Sequence, residues 1–156
     1  MGRDDRFEIR QALVADWQAS KAIRLRALAD APNAFLSTLE REQEFEDAVW
    51  RSRLESSHQL IAWLRDEPVG TVTGLPRGEM VAMWVAPEHR RAGLGARLVA
   101  ILLEWARARG LPELRTWVAD GNEAALRLYE RMGFALTGEV APMRDGLIER
   151  LLIRAL

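Results

Sequence analysis

The chain has no cysteine in its 156 residues. That excludes disulfides, thiolate zinc sites and an acyl-cysteine intermediate together, and it suits a reducing cytoplasm, the expected location. Histidine is nearly as scarce. His58 and His89 are the only two, without the spacing that metal ligation uses, so no metal site is expected. Net charge is almost absent: 22 Lys and Arg against 23 Asp and Glu leave −1. No whole-protein field exists to hold nucleic acid or an anionic lipid surface, so recognition of an anion has to be local. No apolar run approaches the roughly 18 residues of a membrane span. Met1 to Arg10 is charged and lacks an apolar stretch, so no signal peptide is expected there. Arg6 stands where a myristoylation site carries Ser or Thr.

What remains is a globular composition, 49% hydrophobic and 29% charged, expected to form one domain over residues 1–156. A chain this long buries roughly 70% of its unfolded surface, enough for a core without covalent staples. Phe7 and Ile9 alternate with Glu8 and Arg10 as a first strand. Asp16 is placed to cap a helix from Trp17 to about Asp30, with Ala22, Leu25, Leu28 and Ala29 as its apolar stripe. Residues Thr38 to Ser57 read as a second helical region carrying Phe45, Val49 and Leu54. Strands follow at Leu60 to Leu64, Val69 to Gly74 and Met80 to Val85, separated by turn residues. Leu98, Ile101, Leu102 and Trp105 then mark a helix over Leu94 to Arg109. A strand at Leu114 to Val118, a helix at Glu123 to Met132 and strands at Phe134 to Glu139 and Ile148 to Ile153 complete the order. This mixture predicts an α/β fold: a mixed, mainly antiparallel sheet of six or seven strands flanked by about four helices. The strands at Val85 and Leu114, joined through a helix, should lie parallel in a right-handed crossover.

The most informative segment is Val85-Ala86-Pro87-Glu88-His89-Arg90-Arg91-Ala92-Gly93-Leu94-Gly95-Ala96. A strand ends, a glycine-containing turn follows, and a long helix begins. Amides at a helix start are unpaired and carry partial positive charge. Glycine lets the backbone approach a phosphate closely, and Arg90 and Arg91 add charge. The parts together make a pyrophosphate cradle. It is neither a Rossmann fingerprint nor a Walker loop, lacking the third glycine of the one and the Gly-Lys-Ser/Thr of the other.

Arg90-x-x-Gly93-x-Gly95 resembles the coenzyme A signature of the GNAT superfamily of N-acetyltransferases, Q/R-x-x-G-x-G/A. Met83-Trp84-Val85-x-Pro87 looks like that family's fourth strand. Asn122 to Phe134 resembles its N-x-x-A-x-x-L-Y-x-x-x-G-F helix. The likeness is close over about Ala62 to Phe134 and holds elsewhere only in type and order of elements. It implies the GNAT fold and the transfer of acetyl from acetyl-CoA to a primary amine, directly in a ternary complex. By that resemblance the backbone of Met83, Trp84 and Val85 pairs with the cofactor arm, in a gap where the fourth and fifth strands splay apart. The loop amides of Arg91, Ala92, Gly93, Leu94, Gly95 and Ala96 take the pyrophosphate, and Arg90 bonds either the loop or the phosphates. Asn122 and Tyr129 lie seven residues apart on one helix face, about 10 Å along its axis. The resemblance gives Asn122 the arm near its thiol end, and Tyr129 the proton for the departing thiolate. A phenol is suited to that step, since its pKa lies close above that of a thiol. As structural alternatives, Asn122 caps the helix and Tyr129 packs.

An amine attacks a thioester only as the neutral base, so its proton needs an acceptor. Histone-type relatives use a glutamate at a place matched here by Glu79. Some N-terminal acetyltransferase relatives use a glutamate on the fifth strand, matched here by Trp117, so that base is missing. Glu42 and Glu44 are further candidates, and water relays leave no signature. The family's acceptor site lies between segments matched by Ala31 to Glu46 and Ala141 to Leu147, where Glu40, Glu42 and Glu44 would suit a cationic amine or simply form a solvated helix face. Trp17, Trp63 and Trp105 read as core, Trp50 or Trp117 as core or pocket wall, His89 as part of the cofactor loop and His58 as surface. The resemblance also allows a homodimer. The competing reading is a non-catalytic acyl-CoA-binding sensor module.

Overall fold

A computed structural model of the chain describes residues 6–156; residues 1–5 of the segment read as lacking a signal lie outside it. The elements are β1 (Phe7–Gln11), α1 (Trp17–Asp30), α2 (Leu39–Gln43), α3 (Asp47–Ser56), β2 (His58–Leu64), β3 (Glu67–Leu75), β4 (Glu79–Val85), α4 (Leu94–Ala108), β5 (Glu113–Ala119), α5 (Glu123–Arg131), β6 (Ala135–Pro142) and β7 (Ile148–Ala155). They form one seven-stranded sheet in the order β1-β2-β3-β4-β5-β7-β6. Every pairing is antiparallel except β4 with β5. The predicted parallel crossover through α4 is therefore present. Thr38 to Ser57 resolves into two helices, which raises the count to five.

The two faces of the sheet are separated by strand register. Thr71 of β3 bonds Gln59, which bonds Ser20 of α1, so these side chains lie on the α1 face. On the other face a Cβ at Gly74 would stand 2.4 Å from the Trp105 ring. Only glycine lets α4 approach the sheet this closely. Leu94, Leu98, Val99, Leu102, Leu103 and Ala106 of α4 are buried there, as the periodicity of this helix predicts.

The stripe of α1 differs from its reading. Ser20, Ile23, Ala27 and Leu28 are buried, whereas Ala22 and Ala29 are exposed. The buried face carries a serine because the hydrogen bond from its hydroxyl to Gln59 satisfies it, and reading only apolar letters rotates the helix. Asp16 does not cap α1 with its side chain. It accepts instead from the Leu13 amide, 2.8 Å away, and closes the preceding turn. Trp84 and Trp50 are the most buried tryptophans, while Trp17, Trp63 and Trp105 pack half-buried at the edge of the clusters. His58 is not a bare surface residue. Its ring stacks on Trp105 at 4.8 Å, and burial, then Arg109, hold its pKa below the usual imidazole value.

Candidate active site

The loop between β4 and α4 has the shape that an anion cradle needs. Arg91 and Gly93 both adopt left-handed backbone, with φ of 67° and 77°, which turns successive N–H groups out of their usual alternation. A side chain on Gly93 would meet nothing within 4 Å, so conformation rather than space demands glycine there. No side chain caps α4. The first amide of the helix to find a loop carbonyl is Arg97, on Gly93. Those from Arg91 to Ala96 have no carbonyl partner among the described hydrogen bonds. Gly95 serves a second purpose, since a Cβ there would press on Leu128 of α5 at 3.1 Å and Met83 of β4 at 3.4 Å. The Leu94 side chain is core, so its amide alone faces the loop's exterior.

Arg90 is committed to the protein. Its Nε donates to the Val85 carbonyl at 3.0 Å, and its Nη2 to Asp30 at 2.6 Å. Asp30 also accepts from the Trp84 indole at 3.0 Å. Burial alone would raise the Asp30 pKa; the bonds from Trp84 and Arg90 outweigh it and lower it. These two bonds fix the guanidinium beside the loop. Arg90, Trp84 and Asp30 tie the cradle to the end of α1. His89 sits at the loop's start with its ring edge-on to Phe7.

Between β4 and β5 the sheet splits. The two strands share one register pair, Glu79 with Arg115, fastened by the Arg115 amide on the Gly78 carbonyl and by Thr116 Oγ1 on the Met80 carbonyl. Beyond that point the strands diverge. Part of the cause lies in β4: Ala82 has φ of 57°, and the pairing with β3 slips between Thr71 and Thr73. A bulge of this kind bends its strand and re-aims its amides. A cavity of about 300 Å³ occupies the gap.

The registers sort the cavity walls by face. Leu75 and Thr73, in step with Thr71, put Glu79 and Val81 on the α1 face. The Glu79–Arg115 pair carries that face across to Arg115, Trp117 and Ala119 of β5, and β5–β7 pairing carries it on to Glu149, opposite Ala119. Thr116 and Val118 belong to the other face, with α4 and α5. The gap thus joins two compartments.

On the α4–α5 side, the Asn122 side chain caps α5 by accepting from Ala125 N at 3.3 Å, and it still lines the cavity. Tyr129 lines the cavity too while only 5% exposed. Its ring packs on Phe134 at 5.8 Å, with Thr116 as hydrogen-bond neighbour of the phenol. Burial pushes the phenol pKa well above its ordinary value and Thr116 opposes this only in part, so it stands protonated at neutral pH.

On the α1 side, Glu79 reaches the cavity but is ion-paired with Arg77 at 2.8 Å. Trp117, not Trp50, is the tryptophan in the wall. Glu149 also lines the cavity; burial raises its carboxyl pKa above the ordinary value. It was absent from the sequence-based candidates. The expected acceptor segments do meet: the Arg144 guanidinium in the β6–β7 loop donates to the carbonyls of Pro32, Phe35 and Ser37. Glu42 is not a candidate base. Its side chain is fully buried between Arg24, which holds it with two bonds of 3.1 and 3.0 Å, and Arg53 at 2.8 Å. Burial alone would raise its pKa; the guanidiniums bring it down to about 2. Among the described residues no cluster of side chains could hold a metal ion, and no helix is long and apolar enough to cross a membrane.

Comparison with known proteins agrees with this geometry. The model of the acetyltransferase (GNAT) family matches residues 22–134. The peptidyl-lysine N-acetyltransferase YjaB of Escherichia coli is 35% identical over 136 residues, covering 87% of this chain and 82% of that protein. The mycothiol acetyltransferase of Nocardiopsis dassonvillei is 33% identical over 155 residues, covering 90% of this chain but 47% of that protein. The chain thus spans about half the length of that relative. In fold it resembles a GNAT-family acetyltransferase from Streptococcus pneumoniae, with TM-score 0.82, 21% identity and coverage of 96% and 99%. It also resembles yncA of Salmonella typhimurium, solved with its cofactor acetyl-CoA, with TM-score 0.80, 20% identity and coverage of 96% and 94%. Cradle, split sheet and sequence likeness converge: the chain belongs to the acetyltransferase (GNAT) family.

Proposed function

We propose that the chain transfers acetyl from acetyl-CoA to a primary amine, by direct attack within a ternary complex in the cytoplasm. The observation that carries this reading is the split between β4 and β5, open to both faces of the sheet. The donor enters on the α4–α5 side. The amides of Arg91 to Ala96 hold its diphosphate, and the unpaired edge of Met83, Trp84 and Val85 extends along its amide-bearing arm as a sheet edge does along a peptide. Asn122 and Tyr129 meet the arm near the thiol. The acceptor enters from the α1 side, between Pro32–Ser37 and the β6–β7 loop. The amine nitrogen bonds to the thioester carbon, a β4 amide near the bulge receives the oxyanion, and the carbon–sulfur bond breaks. Tyr129 gives the thiolate its proton. No nucleophilic side chain is consumed, so rate comes from proximity and proton management.

Calorimetry with acetyl-CoA, beside thiol release over alkylamines, amino acids, lysine peptides and N-terminal peptides, tests the reading. Binding with turnover supports it. Binding without turnover on any amine supports the sensor module, and no binding removes both. The cradle has its own test in Gly93→Val. A β-branched side chain at φ of 77° costs about 1–2 kcal/mol. A loop that relaxes to avoid this cost should weaken acetyl-CoA binding about tenfold or more by calorimetry, with helix content unchanged. Undiminished affinity would take the diphosphate away from this loop.

A further inference from the structure

Resting on that reading, we propose that Glu149 is the carboxylate that seats the acceptor's ammonium and takes up its proton during transfer. The claim stands first on position. The β5–β7 register sets Glu149 opposite Ala119, on the α1 face, and its side chain lines the same cavity as Tyr129. Acid and base would then reach the gap from opposite faces of the sheet, as an attack on one side of the thioester and departure from the other require.

The second ground is elimination among the charged groups that line the cavity, namely Arg24 of α1, Glu79 of β4 and Glu149 of β7. Arg24 is held by the Glu42 carboxylate, which it shares with Arg53. Glu79 is held by the exposed Arg77, which competes with any incoming cation. Arg150, next along β7, belongs to the opposite face and pairs with Asp120 at 3.0 Å. Glu149 has no ion pair or side-chain hydrogen bond among the described residues. A half-buried carboxylate without a partner is costly unless something cationic completes it. The same burial raises its proton affinity, narrowing the gap to an amine.

The protons balance. Glu149 first takes one proton from the seated ammonium and passes it to solvent; the neutral nitrogen then forms its bond to carbon and loses a second proton to the Glu149 carboxylate. The thiolate leaves with the proton of the Tyr129 phenol. Solvent returns one proton from Glu149 to Tyr129, and the net change is ammonium plus thioester to amide, thiol and one proton released to solvent.

The test pairs Glu149→Gln and Glu79→Gln with two acceptors. One is an alkylamine active with the parent, cationic at pH 7; the other is an alkoxyamine, neutral at that pH. Glu149→Gln should lower kcat/KM for the alkylamine about 30- to 100-fold and leave the alkoxyamine within about threefold. Acetyl-CoA affinity should not change, and Glu149→Asp should recover part of the loss. Glu79→Gln should lose at least about tenfold less than Glu149→Gln on the alkylamine. Equal losses on both acceptors would make Glu149 structural. No loss, or a loss carried by Glu79→Gln, overturns the assignment. A parent that binds acetyl-CoA yet acetylates neither acceptor overturns the transferase reading and this inference with it, whereas normal parent turnover with an unaffected Glu149→Gln overturns this inference alone.

Discussion

Replacing Tyr129 with Phe should lower kcat by about 100- to 1,000-fold and leave acetyl-CoA affinity nearly unchanged. The ring is retained, so its contact with Phe134 survives, and only the hydroxyl is lost. Thr116 spends its own proton on the Met80 carbonyl at 3.0 Å. The phenol beside it carries its own proton. The upward push on its pKa keeps that proton in place at all working pH values. A phenol with so raised a pKa would be a poor acid toward a thiolate in water, but the departing thiolate forms beside the same buried ring and is destabilised by the same loss of solvent. The two proton affinities rise together, which keeps transfer feasible. Steady-state kinetics with calorimetric Kd on both proteins is the measurement. If Tyr129→Phe turned over at the parent rate, the hydroxyl would be a packing group and the proton would come from water. If kcat held while Tm fell by several degrees, the hydroxyl would be a purely structural partner of Thr116.

The parts of this site that lie in one stretch of chain were legible before the fold was known. The cradle is one such part, because a helix start and its glycines are neighbours in sequence. Asn122 and Tyr129 are another, since seven residues along a helix fix their relative direction. Arg90 was readable as bonding either the loop or the phosphates, and Asp30 was not foreseen as its partner because it lies sixty residues away. The strand carrying Glu149 was predicted, but its role depends on which β5 residue it faces and on how far β4 turns away. Both are set by pairings between distant segments and by a bulge at Ala82 that no local preference announces. The acidic run around Glu42 misled for the opposite reason. Glu40, Glu42 and Glu44 look alike in sequence, yet the short α2 turns only Glu42 inward.

That burial makes Glu42 the group whose protonation the fold should feel most. Its folded pKa of about 2 lies below the ordinary value of 4.5, so its contribution is fully present above pH 4.5 and lost as pH falls through about 2. The difference amounts to about 3 kcal/mol. At pH 7, Glu42→Gln should cost about 3–5 kcal/mol, because it strands Arg24 and Arg53. For a chain of this length that lowers Tm by roughly 10 °C. Below pH 4.5 the gap between parent and variant should close as the parent loses the same charge, and added salt should barely alter it, since the carboxylate is shielded from ions. Thermal unfolding across pH 2 to 7, as an order-of-magnitude range around the titration, checks this, and parallel curves would show that the pairing contributes nothing net. The consequence reaches the site. Arg24 forms part of the acceptor wall, and Glu42, which it shares with Arg53, offsets much of its charge there. Freed of its partner, it would repel a cationic amine from the compartment that Glu149 occupies. Glu42→Gln, assayed below its lowered Tm, should therefore raise KM for the alkylamine more than for a neutral alkoxyamine, with acetyl-CoA affinity held. Equal changes in both KM values would mean that Arg24 and the acceptor do not share a compartment.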